Sequence, residues 1–220
     1  MSQLHGTRTD RAEMVGVSAT GRRANALTEL LNAAGRKVAS VPISRPRSDD
    51  LAIPLQREIH ELYRLLGGSS PSPCLRPGAW DVSLDDPLVI ELDEELHFNR
   101  YRLQTMRANW AIDLPWHGDY IEQCTAYEAE CLAAGSWGKR WTNPSCVSMF
   151  WDRDQPRTLD ERGAPRWKQR ALYDAIKDAI AVTTGRFSLA RISIYDRLPD
   201  GGTVGAALDG VGIAFVLEHL

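Results

Sequence analysis

Apolar residues recur at three-to-four spacing in several stretches of the chain, and alternate or run together in others. Residues 22–34 carry Ala24, Leu27, Leu30, Leu31 and Ala34 at helical spacing, with Gly35 as a stop. Residues 51–66 repeat the pattern with Leu55, Ile59, Leu62, Leu65 and Leu66, closed by Gly67-Gly68. Between them, residues 37–43 suit a short strand and residues 44–50 a connector. A loop with three prolines follows at 69–78. Residues 79–84 then read as a strand, Asp85-Asp86-Pro87 as a turn, and 88–92 as a short apolar run of the kind found in a buried central strand. Helices are predicted over 101–110 and 120–134, with Gly135 ending the second. A long helix over 166–184 turns Leu172, Ile176, Ala179 and Ile180 inward. Residues 136–165 are irregular. Residues 188–195 alternate as a strand, Gly201-Gly202 punctuates, and 211–217 form a last apolar strand. This order predicts an α/β fold, a mixed central sheet of about four to five strands flanked by helices.

A chain of 220 residues accommodates one domain with a full core. Residues 1–20 are polar and read as a flexible N-terminal segment. Residues 21–220 read as a single domain with a Trp-rich insertion at about 110–165. Six of the seven tryptophans lie between Trp110 and Trp167; they suit a packed cap, or a surface on which bases stack. No uncharged apolar run approaches the roughly 20 residues that a bilayer requires. The N-terminus lacks the apolar core of a secretory signal, so the cytoplasm is the expected compartment. Cys74, Cys124, Cys131 and Cys146 are then expected as thiols or metal ligands.

The net charge of -3 does not describe the charge distribution. Seven carboxylates and no Lys or Arg lie between Asp81 and Glu95, whereas six basic residues face three acidic ones between Arg153 and Arg170. An acidic focus beside basic surface suits a metal-dependent phosphodiesterase, and equally two solvated faces. Within the acidic stretch, Glu91 and Asp93 stand two apart on a strand and share a face, while Ile90 and Leu92 pack on the other. The three-residue turn makes the flanking strands antiparallel neighbours, which brings Asp81 toward Glu91. Converging carboxylates repel one another unless a cation sits among them. Hard oxygen donors suit Mg²⁺ or Mn²⁺. The plainer reading of LDEELH is a solvated strand end leading into a helix whose dipole favours acids.

Asp81, followed across a hairpin by I90-E91-L92-D93 and then His97, resembles the core of the PD-(D/E)XK restriction-endonuclease-like nuclease superfamily. The IE-x-D segment with its trailing His is similar to the very-short-patch repair endonuclease-like branch. The resemblance covers residues 51–105, and beyond them only the order of elements. It implies DNA as partner, Mg (or Mn) as cofactor, and hydrolysis of phosphodiester bonds in repair, restriction or defence. Asp81 and Glu91 would be metal ligands. His97 would stand near the attacking water or the phosphate, and Glu58 or Glu61 could supply a further acid. Asp93 falls where the superfamily usually has Lys. Lys168, Arg100 or His97 could replace that cation, Asp93 could itself be a metal ligand, or the site could have lost activity. The last case would leave a non-catalytic nucleic-acid- or protein-binding module on the same fold. Gln169 and Tyr173 match the Q-x-x-x-Y pair that RecB-like exonucleases carry near DNA; the alternative is a surface Gln beside a half-buried Tyr. The segment from His97 to Arg102 interleaves basic and aromatic residues, as a phosphate- and base-contacting surface or as the start of an amphipathic helix.

Cys124, Cys131, Cys146 and His117 lack the spacing of a zinc site, so zinc is not expected. A homodimer is compatible with this reading, and no membrane partner is expected. The P-loop, dinucleotide G-x-G-x-x-G and G-x-S-x-G motifs are all absent from the sequence.

Overall fold

The computed structural model describes residues 21–135, 141–151, 159 and 164–210. Their order is α1 (Arg22–Ala33), α2 (Ile53–Leu65), β1 (Val82–Ser83), β2 (Leu88–Asp93), α3 (Arg100–Thr105), α4 (His117–Ala126), α5 (Glu128–Ala134), α6 (Pro144–Phe150), α7 (Pro165–Thr184), β3 (Ser188–Ser193) and α8 (Val204–Gly210). The fold is mixed α/β. The sheet has the order β1-β2-β3, with β1 antiparallel and β3 parallel to β2. Three strands among the described residues replace the four to five expected. The strand expected at 37–43 contributes only the isolated bridge Val38–Leu84. The strand expected at 79–84 pairs with β2 only at Val82 and Ser83, because the segment before it is used otherwise. Trp80 Nε1 donates to the Ser44 carbonyl at 3.2 Å, and the Ala79 carbonyl accepts from Lys177 Nζ at 2.9 Å. The strand expected at 211–217 lies outside the described residues.

Strand β2 has alternate residues in two cores. Val89 packs with α2, α6 and α7 on one face, while Ile90 and Leu92 pack with α1 and α8 on the other. Every β2 residue from Val89 to Asp93 is buried, so Glu91 and Asp93 are forced into the α7 side of the sheet. Helix α7 runs between the parallel strands β2 and β3. Its buried face carries Ala171, Leu172, Ala175, Ile176 and Ala179, but also Asp174, Lys177 and Asp178. Those polar residues meet the sheet where Glu91 and Asp93 point.

Other boundaries also shift. The helix expected at 120–134 breaks at Tyr127 into α4 and α5, and the one expected at 101–110 stops at Thr105, with a 3-10 turn at Asn109–Asp113. Helix α6 lies in the stretch expected to be irregular. Asn143 caps it, accepting from the Cys146 amide at 2.9 Å, and Pro144 opens it. It packs on α7, where Trp141 stacks on Trp167 with ring centroids 4.5 Å apart. A methyl group on Gly135 would overlap the fully buried Trp167 ring. Gly135→Ala should therefore destabilise the protein by about 1–3 kcal/mol, the usual cost of overpacking, visible as a lower urea midpoint at unchanged slope. A midpoint equal to the parent's would refute this packing.

Candidate functional site

The antiparallel register pairs Val82 with Ile90 and Ser83 with Val89, so its continuation sets Asp81 opposite Glu91. Cross-strand partners share a face. The Asp81 amide donates to Glu91 Oε1 at 3.2 Å, and Asp81 Oδ2 accepts from the Leu92 amide at 2.9 Å. Both residues line a cavity of about 480 Å³, which is also walled by His97, Arg166, Arg170, Tyr173, Asp174 and Lys177. The acidic hairpin and α7 thus form opposite walls of one cleft.

Lys177 is the cation that the sequence reading missed. Its Nζ lies 2.7 and 2.6 Å from the two Glu91 oxygens and above the Trp80 ring. Burial pushes the Glu91 carboxyl up to about 7, against the pull of Lys177 and with a further push from Asp81. Asp81 is exposed as a residue at the cleft rim. Even so, protein crowding around its carboxyl raises that group above the ordinary value, against the Leu92 amide and Lys177.

Because the folded chain holds the Glu91 proton more tightly than the unfolded chain, this group stabilises the fold below about pH 4.5. That contribution fades as pH rises through about 7. In metal-free buffer, the stability of the parent relative to Glu91→Gln should fall by on the order of 3 kcal/mol across that window. Urea titrations of both proteins at several pH values would show it; a constant difference would contradict it.

Asp93 is tied into a network of ion pairs and hydrogen bonds behind the cleft. Both its oxygens take Arg191 Nη1, at 2.9 and 2.7 Å, and Oδ2 also accepts the Tyr120 hydroxyl at 2.7 Å. Burial works to raise the Asp93 carboxyl, but Arg191 and His97 outweigh it and hold the group below its ordinary value. The Arg191 guanidinium also donates to Asp178 at 2.6 Å and approaches Asp174 at 3.6 Å, while Arg102 bonds the other Asp178 oxygen at 2.6 Å. Asp93 is thus part of a fully buried ion network between α3, α7 and the sheet. His97 closes the network at the cleft: its Nδ1 lies 2.9 Å from Asp174 Oδ2 and 3.1 Å from Asp93 Oδ1. Asp93, His97 and Asp174 form the one group of three or more such side chains among the described residues whose ligand atoms, all within 4.8 Å of one another, could together hold an ion; Asp81 and Glu91 form a separate pair beside it in the cleft.

The remaining candidates lie elsewhere. Lys168 is buried, with its ammonium over the Tyr101 ring, and it lines a different cavity together with Arg100. Arg100 pairs with Glu128 at 2.7 Å. Gln169 is buried and donates to Ser145 Oγ and Tyr173 Oη, which fastens α6 to α7; only Tyr173 of this pair lines the cleft. Glu58 is half-buried on α2, away from the cleft lining. Cys124 and Cys131 are buried thiols that burial pushes up to about 12, and no Cys/His metal group occurs among the described residues. None of the described helices is long and apolar enough to cross a membrane. The signal for Lys177 was present in the sequence: it is a lysine at i+4 from Tyr173, on a helix whose neighbouring inward positions are Ala and Ile.

Residues 61–210 match the model of a family of unknown function (DUF7255), and the chain belongs to that family. No curated protein and no solved structure matches it.

Proposed function

We propose that this protein is a metal-dependent nuclease hydrolysing DNA phosphodiester bonds on the PD-(D/E)XK pattern. One observation carries the reading: Asp81 and Glu91 stand as cross-strand neighbours at a cleft, with the Lys177 ammonium held against Glu91. The superfamily lysine is missing at Asp93, and a cation beside the acidic pair arrives instead from α7.

The residues fit a divalent cation. Asp81 and Glu91 are hard oxygen donors whose carboxyls burial raises, and Asp81 raises Glu91 further against Lys177, so a second cation between them would favour their ionised forms. These two residues would hold Mg²⁺ or Mn²⁺, which would supply a more acidic water and offset charge on the scissile phosphate. The chain's own groups complete the arrangement. Lys177 sets its ammonium against Glu91, beside the place where negative charge would develop during phosphodiester hydrolysis. Arg166 and Arg170 line the cleft as phosphate contacts, and Tyr173 offers a ring on which a base can stack.

The test is cleavage of supercoiled and linear DNA by the purified chain with Mg²⁺ or Mn²⁺, in parallel with Glu91→Ala. EDTA-sensitive cleavage that Glu91→Ala abolishes supports the proposal. Equal activity in Glu91→Ala rejects the site, and DNA binding without cleavage under either metal replaces it with a non-catalytic binding module.

A further inference from the structure

The partners of His97 determine which of its ring nitrogens carries a proton. Nδ1 lies 2.9 Å from Asp174 Oδ2 and 3.1 Å from Asp93 Oδ1. Both carboxylates face the Arg191 guanidinium, which donates to the two Asp93 oxygens at 2.9 and 2.7 Å and stands 3.6 Å from Asp174 Oδ1, so each has a cationic partner whatever the state of the ring. An ionised carboxylate only accepts hydrogen bonds. A nitrogen close to two of them must therefore donate, so Nδ1 bears the proton and Nε2 of the neutral ring bears the lone pair. The opposite, Nε2 edge is left for the cleft that His97 lines, and no partner for it occurs among the described residues.

From this geometry we infer that His97 is the proton acceptor of the cleft and that Asp174, with Asp93 behind it, is a positioning residue that fixes its tautomer. The assignment of His97 to phosphodiester cleavage rests on the function proposed above; the tautomer does not. In the step envisaged, a water gives one proton to Nε2 as its oxygen bonds to phosphorus. The bond from phosphorus to the leaving sugar oxygen breaks, and that oxygen takes a proton from solvent. The imidazolium then returns its proton to solvent, so no proton is left over. Asp174 is the nearer partner, and it is freer than Asp93, whose oxygens are shared with Arg191 and Tyr120. Arg191, 3.6 Å from Asp174, keeps that carboxylate ionised without displacing the ring.

The experiment is a two-bond ¹H–¹⁵N correlation spectrum of the ¹⁵N-labelled full chain at a pH where the ring is neutral. The His97 signals are identified by their loss in His97→Asn. Expected is the Nδ1–H tautomer in the parent and a mixture of both tautomers in Asp174→Asn. A parent ring protonated on Nε2 overturns the inference without recourse to any variant. An Asp174→Asn spectrum identical to the parent's overturns the role of Asp174. If DNA cleavage is found, His97→Asn and Asp174→Asn should lower kcat by roughly 10²- to 10⁴-fold with KM little changed. Cleavage that fails in the parent while the tautomer holds would refute the nuclease reading alone.

Discussion

Replacing Arg191 with leucine is expected to cost the fold about 3–5 kcal/mol, the largest stability loss we foresee for a single substitution. The guanidinium is fully buried and holds Asp93 through Nη1, Asp178 through Nε and Asp174 through Nη2. Its pKa lies well above the ordinary value: burial works against the charge, and Asp178, Asp93 and Asp174 outweigh that effect. Removing the cation leaves three carboxylates in the protein interior with Arg102, His97 and the Tyr120 hydroxyl as their remaining side-chain partners. Uncompensated buried charge is far more costly than the pair itself is worth. For a chain of this size each kcal/mol lowers the melting temperature by roughly 2–4 °C, so a drop of roughly 6–20 °C is expected by circular dichroism. Arg191→Lys should recover little, because an ammonium cannot make the directed Nε and Nη contacts at once. A melting temperature within about 2 °C of the parent's would show that the network relaxes more freely than its geometry suggests.

On the proposed function, Lys177→Met should slow cleavage by on the order of 10²–10³-fold in kcat, comparable to losing one preorganised electrostatic donor. Methionine keeps the length of the side chain and its packing over Trp80, while the charge beside Glu91 disappears. The measurement is the single-turnover rate on linear DNA with saturating Mg²⁺. A rate within threefold of the parent's would mean that Lys177 is a packing partner only.

The sequence disclosed the local half of this architecture. The periodic stretches became α1, α2 and α7, and the apolar run before the acidic pair became β2, since burial on both faces leaves a strong compositional trace. The hairpin was legible because three residues between two apolar segments allow little else. Lys177 could be picked out as an inward lysine on α7, but its partner could not, because the pairing with Glu91 spans 86 residues and depends on how α7 crosses the sheet. For the same reason the Asp93–Arg191 pair was not legible: nothing local to Asp93 announces Arg191, 98 residues away. Helix α6 was missed although Asn143-Pro144 is an ordinary helix start, since the surrounding Trp, Pro and Arg suggested an irregular segment.

The most direct test of the account is Mn²⁺ binding to the metal-free full chain, followed by calorimetry together with electron paramagnetic resonance. The account predicts one Mn²⁺ bound at the cleft, with binding lost in both Asp81→Asn and Glu91→Gln while the fold is retained. Binding undiminished in both variants, or no binding by the parent, would contradict it.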